Sequence, residues 1–303
     1  GDATRVERTS DHDPAVAYMS ATRYQLDDFR PYFYKTTDYG KSWTRIDNGI
    51  PMGAYARSIR EDPIRRGLLF AATEIGVWVS LDDGANWQPL QLNLPRASVR
   101  DLRVHENDIV VATHGRSFWA LDDIAVIRQL HDSVTAKPLH LFQPSTAWRF
   151  AGGHGGRGGN AGENPYDGVL VDYWVGTPPT DKLTLEFVDP RGTVVRSFSS
   201  ATKRDSTAKA PVDSMAYVAS DSIVTTRPGT NRFFWNLRYP NAKEIKTVVN
   251  DMGTLAGPTV VPGDFRVRLI AGKDTLVRPF TVKLDPRVQA TTADLQQTFD
   301  LGM

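Results

Sequence analysis

The chain contains no cysteine. That single absence removes disulfides, zinc–thiolate clusters, iron–sulfur sites and thiol nucleophiles together. It leaves the compartment open, since a chain of this size folds in oxidising surroundings without a covalent staple. An excess of either charge is also lacking: 36 basic against 35 acidic residues give a net charge of +1. No global field gathers nucleic acid or anionic lipid, and no basic cluster is interleaved with aromatics, so neither partner is expected. Long apolar runs are missing too. The best, residues 67–79, is broken by Glu74, so no membrane span is expected. What remains, 40 % apolar and 23 % charged over 303 residues, is globular and long enough for about two domains.

The first 130 residues repeat. Thr36-Thr37-Asp38-Tyr39-Gly40-Lys41-Ser42-Trp43 returns 44 residues later as Ser80-Leu81-Asp82-Asp83-Gly84-Ala85-Asn86-Trp87. Upstream, Asp13-Pro14 returns as Asp62-Pro63. Strand-like runs lie between these marks, at 15–21 and 32–36, then at 67–73 and 76–81. A worn third copy spans 109–113 and 117–122; it keeps Trp119 and Asp122-Asp123 but has lost the glycine and the final tryptophan. A period of about 40–50 residues with several short strands per copy predicts propeller blades rather than a solenoid. The motif has a structural mechanism. Asp38 and Asp82 accept local amide bonds, Gly40 and Gly84 supply the permissive backbone, and Trp43 and Trp87 cap the turn by burial against the next strand.

These residues resemble the Asp-box (BNR) repeat of sialidases, some xyloglucan-cleaving enzymes and the sortilin/Vps10 propellers. Ala112-Thr113-His114-Gly115-Arg116-Ser117-Phe118-Trp119-Ala120-Leu121-Asp122-Asp123-Ile124 resembles the last blade of large secreted bacterial sortilin-like proteins, often described as glycosyl hydrolases. Asn164-Pro165-Tyr166-Asp167-Gly168, Asn231-Arg232-Phe233-Phe234-Trp235-Asn236-Leu237-Arg238-Tyr239-Pro240 and Pro262-Gly263-Asp264-Phe265 resemble the C-terminal segment of the same family. The resemblance implies a secreted, extracellular or periplasmic recognition protein for a polypeptide or glycan. It implies as alternatives a glycoside hydrolase whose carboxylates lie largely outside this stretch, or an architectural surface module. Three blades cannot close a ring, so the remaining blades are expected upstream in the same chain, in keeping with the absence of an initiating methionine at Gly1.

From residue 167 onward strand signals recur at 169–175, 183–188, 194–199, 231–237, 265–271 and 275–283, with turns at 189–192 and 271–274. Phe265, Val267 and Leu269 alternate with Arg266 and Arg268, the period of a half-buried strand. The fold class is therefore all-β: a partial propeller of about three Asp-box blades over 1–130, a connecting arm and Gly-rich loop over 131–166, an immunoglobulin- or fibronectin-III-like sandwich over 167–286 with Trp235 in its core, and the start of a helical tail over 287–303. The Gly-rich run 152–160 reads as a flexible loop, because Asn164-Pro165 rather than a helix follows it. Residues 199–216 read as a mobile polar insertion and 250–262 as a second long loop.

Candidate chemistry falls on the blade face opposite the boxes. Arg23, Glu74 and His114 align at the end of the second strand of each copy. Arg57 and Arg100 match on the first strand, Arg116 lies two residues beyond His114, and an insertion over 25–31 adds Asp27 and Asp28. Such a rim could bind a sugar or a carboxylate, the arginines as forks, with Asp28 and Glu74 the candidates for acid–base work on a glycosidic bond. The arginine triad and Tyr–Glu pair of a sialidase cannot be assembled. No metal and no cofactor are expected: His114 has no second ligand at metal spacing, and Asp122-Asp123 lack the alternating oxygens of a calcium loop.

Overall fold

The computed structural model describes residues 3–150, 166–200, 223–242 and 255–303. The chain divides into two compact units, Gly1–His131 and Asp132–Met303. The Gly-rich run, residues 201–216 of the first long loop and 250–254 of the second lie outside the described residues.

The first unit is three antiparallel meanders. Strands β1 (Ala3–Thr9), β2 (Ala17–Arg23), β3 (Asp28–Thr36) and β4 (Thr44–Arg45) form the first; β5 (Ala56–Glu61), β6 (Leu69–Thr73), β7 (Gly76–Ser80) and β8 (Gln88–Pro89) the second; β9 (Val99–His105), β10 (Asp108–Thr113) and β11 (Phe118–Leu121) the third. Each strand pairs with its sequence neighbour, so each sheet is one blade of a partial β-propeller. The middle blade explains its own sequence. Every residue of β6 is buried, because Leu69 and Ala71 pack with Phe33, Ile46 and Ile59 toward the first blade. Phe70 and Ala72 pack with Val99, Leu102, Ile109 and Val111 toward the third. A strand dry on both faces reads as a continuous apolar run, not an alternation. After β11 the chain enters a short helix, α1 (Ala125–Gln129).

In the second unit, α2 (Asp132–Thr135) precedes two sheets. One orders β12 (Leu139–Leu141), β14 (Val169–Val175) and β17 (Gly229–Trp235); the other orders β13 (Ala147–Arg149), β19 (Asp274–Leu284), β18 (Gly263–Ala271), β15 (Leu183–Val188) and β16 (Val194–Ser199). The segment expected to be only a connecting arm thus contributes β12 and β13, the latter parallel to β19. The inner faces of the two sheets form one core. At its centre Trp235 is fully buried and stacks on Phe187 at 4.3 Å, with Phe265 edge-on at 6.4 Å. Its indole N–H reaches the Arg238 carbonyl at 3.0 Å, which satisfies its polar atom. The chain ends in α3 (Thr292–Gly302), whose start is a capping box between Thr291 and Asp294.

Candidate functional site

The two repeated turns are superposable bond for bond. In the first, the Thr36 hydroxyl donates to Asp38 at 2.8 Å and accepts from the Gly40 amide at 2.9 Å; Ser42 donates to Asp38 through its amide at 2.9 Å and its hydroxyl at 2.6 Å. In the second, Ser80, Asp82, Gly84 and Asn86 repeat each bond, at 2.8, 2.9, 2.9 and 2.8 Å. Tyr39 and Gly40, like Asp83 and Gly84, have positive φ. Both aspartates are consumed by the turn. Ser42 and Thr36 hold the Asp38 carboxyl down at about 2. Desolvation pushes Asp82 up, but Asn86 and Ser80 outweigh it and leave it lowered. The tryptophans correct the sequence reading. Trp87 buries its ring against the preceding blade, not the next strand: it stacks on Phe33 at 5.9 Å and donates to the Ile46 carbonyl at 2.6 Å. Trp43 is only half-buried.

On the opposite face the rim residues form paired contacts. The Glu74 amide donates to the Tyr55 carbonyl at 3.1 Å, and the His114 amide to the Ser98 carbonyl at 2.8 Å. These matching bonds put Glu74 and His114, and with them Arg57 and Arg100, at equivalent positions in successive blades. The side chains follow suit. Arg57 grips Glu74 with Nη2 at 2.6 Å and Nε at 2.9 Å, and Arg100 Nη2 meets His114 Nδ1 at 2.8 Å. A guanidinium only donates, so this Nδ1 accepts and the imidazole carries its proton on Nε2. Ser98 adds a 2.7 Å bond to Glu74. Burial pushes Glu74 up, but Ser98 and Arg57 win and its pKa is lowered. Asp28 belongs to a separate network: Arg30 binds both its oxygens at 2.9 and 2.7 Å, Tyr32 donates at 2.7 Å, and Arg23 lies 3.6 Å away. Chiefly through Arg30, then Tyr32, Asp28 is held well below the usual carboxylate range. The two carboxylates thus sit in different hydrogen-bond networks, Asp28 with Arg30 and Tyr32, Glu74 with Arg57 and Ser98. Arg116 is exposed beyond His114, and its carbonyl accepts from Trp119.

No protein-family model matches the chain, and no curated protein is significantly similar to it. Several solved structures are similar at low identity, among them the following three. YCF48 bound to D1 peptide is 14 % identical over 61 % of this chain and 51 % of its own, with a TM-score of 0.27. The GH74 enzyme of Niastella koreensis is 12 % identical, with 90 % and 46 % covered and a TM-score of 0.31. The extracellular domain of BT4673 from B. thetaiotaomicron is 8 % identical, with 94 % and 31 % covered and a TM-score of 0.30. The chain spans about half of the first and less than half of the other two.

The rim also holds aromatics that the sequence reading passed over. A single 3-10 turn, Tyr24–Leu26, lifts Tyr24 onto the ring of Tyr55 at 5.1 Å, and Phe29 closes on Tyr55 at 6.1 Å. Arg57 lies over Tyr55 at 4.7 Å and over Tyr24 at 5.6 Å. Tyr55 is buried while Tyr24 and Phe29 stay 38 % and 40 % exposed. The result is an open aromatic shelf backed by a partly buried ion pair. The signal was adjacency: Tyr24 follows Arg23, and Tyr55 stands two residues before Arg57. Among the described residues no three metal-ligating side chains converge, and no helix is long and apolar enough to cross a membrane.

Proposed function

We propose that the chain belongs to an extracellular recognition protein and that its propeller rim binds a carboxylate-bearing ligand, a glycan or a polypeptide, without cleaving it. The carrying observation is the shelf of Tyr24, Phe29 and Tyr55 beside two differently neutralised arginines. Arg57 spends its charge on Glu74. Arg100 faces a neutral imidazole and keeps its charge for a ligand. A ring or apolar face stacks on the shelf while a carboxylate takes Arg100, with Arg116 and Arg23 at the margins. The charge state of the carboxylates favours binding over hydrolysis. A general acid for a glycosidic bond needs a raised pKa, whereas Asp28 and Glu74 are both lowered by donors that hold them ionised. In this reading the repeated turns are Asp boxes, further blades upstream complete the ring, and the sandwich is an immunoglobulin- or fibronectin-III-like spacer.

The test is a binding screen of the chain against acidic and neutral oligosaccharides and against peptides with free or amidated C-termini. Expected hits carry a carboxylate, and Tyr24→Ala and Arg100→Ala each weaken them at least tenfold. Hits indifferent to both substitutions refute the site. Release of reducing ends from a glycan, abolished by Glu74→Gln, refutes the non-catalytic reading.

A further inference from the structure

Trp87 occupies a slot built by two blades, and the next slot around the propeller holds nothing of the kind. Trp87 shares one core cluster with Phe33, Ile46 and Ile50 of the first blade and Leu69, Ala71 and Trp78 of the second. The equivalent residues one blade on are Val77, Leu90 and Leu94, then Ile109, Val111 and Trp119. Backbone bonds fix the equivalence. Ile46 donates to Phe33 at 2.9 Å as Leu90 does to Val77 at 2.9 Å, and Ile50 donates to Asp47 at 3.1 Å as Leu94 does to Gln91 at 2.8 Å. Trp78 sits opposite Ala71 as Trp119 sits opposite Val111. These six residues line an open apolar cavity of about 50 Å³.

Among the described residues the strand that would carry a tryptophan there is also missing. In the first two blades the tryptophan leads directly into a fourth strand, β4 or β8, and Gln88 and Pro89 pair with Val79 and Trp78. Among the described residues the third blade ends at β11, because the chain turns into α1. Among the described residues the β11 edge is therefore open, and Phe118 on it is 76 % exposed. An open edge beside an apolar pocket is the arrangement that accepts an added strand.

We propose that this slot and edge take an extended Trp-x-x segment of a partner polypeptide, which completes the third blade. The indole enters the cavity and donates to the Leu90 carbonyl, as Trp87 donates to Ile46. The next two residues pair with Ala120 and Trp119, as Gln88 and Pro89 pair with Val79 and Trp78. The cavity is smaller than an indole, but Leu92 at its rim is 70 % exposed and has room to swing into solvent. One feature differs from the filled slot. Gly49, where a Cβ would stand 2.3 Å from the Trp87 carbonyl, is replaced by Asn93 at the equivalent place. The partner backbone therefore rides further from this loop, and its hold comes from the ring and the β11 edge.

The probe is a fluorescein-labelled peptide of residues 82–90 of this chain, titrated into the chain and read by anisotropy. Saturable binding is expected. Replacing the peptide tryptophan by alanine should weaken it at least tenfold. Ala120→Pro, which removes an outward donor from an edge strand that tolerates proline, should abolish it while the far-ultraviolet circular dichroism is unchanged. Absence of saturable binding, or equal binding by the alanine peptide, overturns the proposal; the second comparison uses the unaltered protein and stands even if Ala120→Pro misfolds. Self-association of the chain that Ala120→Pro abolishes would overturn it in favour of a second copy.

Discussion

Replacing Trp87 by alanine asks whether the repeated turn is a local ornament or the joint between blades. The ring is 5 % exposed, stacked on Phe33 and bonded to the Ile46 carbonyl. An indole of this burial withdraws about 200 Å² from water, which at about 25 cal/mol per Å² is ~5 kcal/mol. A compact denatured chain already hides part of that area, so this is an upper value. In the same direction, the Ile46 carbonyl loses its donor, at a further ~1–3 kcal/mol if water cannot replace it. With the area term cut back for the compact denatured chain and for the methyl that alanine keeps, the two together give a loss of ~3–5 kcal/mol, in line with large-to-small core substitutions. The half-buried Trp43 in the matching turn of the first blade keeps more of its area in water, and the same change there should cost ~1–2 kcal/mol. Urea unfolding followed by far-ultraviolet circular dichroism separates the two. With a slope of ~1–3 kcal/mol per molar, Trp87→Ala should lower the midpoint of the first unit by roughly 1–5 M. Trp87→Phe, which keeps most of the area and loses the N–H, should fall between. A midpoint for Trp87→Ala no lower than that for Trp43→Ala would refute the joint.

Three further outcomes are expected. Gly49→Ala and Gly53→Ala both force alanine into positive φ, at +97° and +91°, but only the first drives a Cβ against the Trp87 carbonyl; Gly53→Ala should cost ~1–2 kcal/mol and Gly49→Ala clearly more, read as paired thermal midpoints. Asp38 is lowered to about 2 in the folded chain against about 4 unfolded, so its contribution is complete above about pH 4 and is lost as pH falls through about 2; Asp38→Asn should flatten the stability–pH curve in that window, and an unchanged slope there would remove the turn from the acid response. Trp235→Ala should destabilise the sandwich by ~3–5 kcal/mol, checked by the loss of near-ultraviolet dichroism at a lower urea concentration than wild type; an unshifted loss would contradict its place at the core.

The sequence was most legible where one periodicity acted alone. Strands β14, β15 and β16 begin and end where the sequence pattern placed them, and β17, β18 and β19 within two residues, because Phe265, Val267 and Leu269 face the core while Arg266 and Arg268 face away. Two kinds of element escaped. Strands β4 and β8 are two residues long, and β12 and β13 three; no alternation can be recognised over so few positions, and their pairing is decided by the partner strand. The site escaped in part for a similar reason. Alignment of the copies placed Arg57 with Arg100 and Glu74 with His114, since the repeat itself carries that information. Nothing in the spacing says that Tyr24 of one blade stacks on Tyr55 of the next, a contact created by the face-to-face approach of two sheets.

That division between what repeats and what varies is the basis of the recognition reading. The backbone bond from Glu74 to Tyr55 recurs from His114 to Ser98, and the arginine two residues along the first strand meets the following side chain in both blades. The geometry of the rim is thus set by the same hydrogen bonds that hold the blade, independently of which side chain stands at its end. What differs is the side chains set on that frame: Tyr55 gives way to Ser98, and a carboxylate cancels Arg57 where an imidazole leaves Arg100 cationic. Exchanging these two contacts should move the positive site one blade round the rim without disturbing the sheets. Glu74→His with His114→Glu leaves each arginine a partner and the backbone bonds intact. A carboxylate ligand that follows the charge from Arg100 to Arg57, shown by its new dependence on Arg57 and its lost dependence on Arg100, would establish that the rim selects by charge placed on a fixed frame. Loss of all binding with stability unchanged would instead mean that the shelf and Arg100 act as one indivisible site.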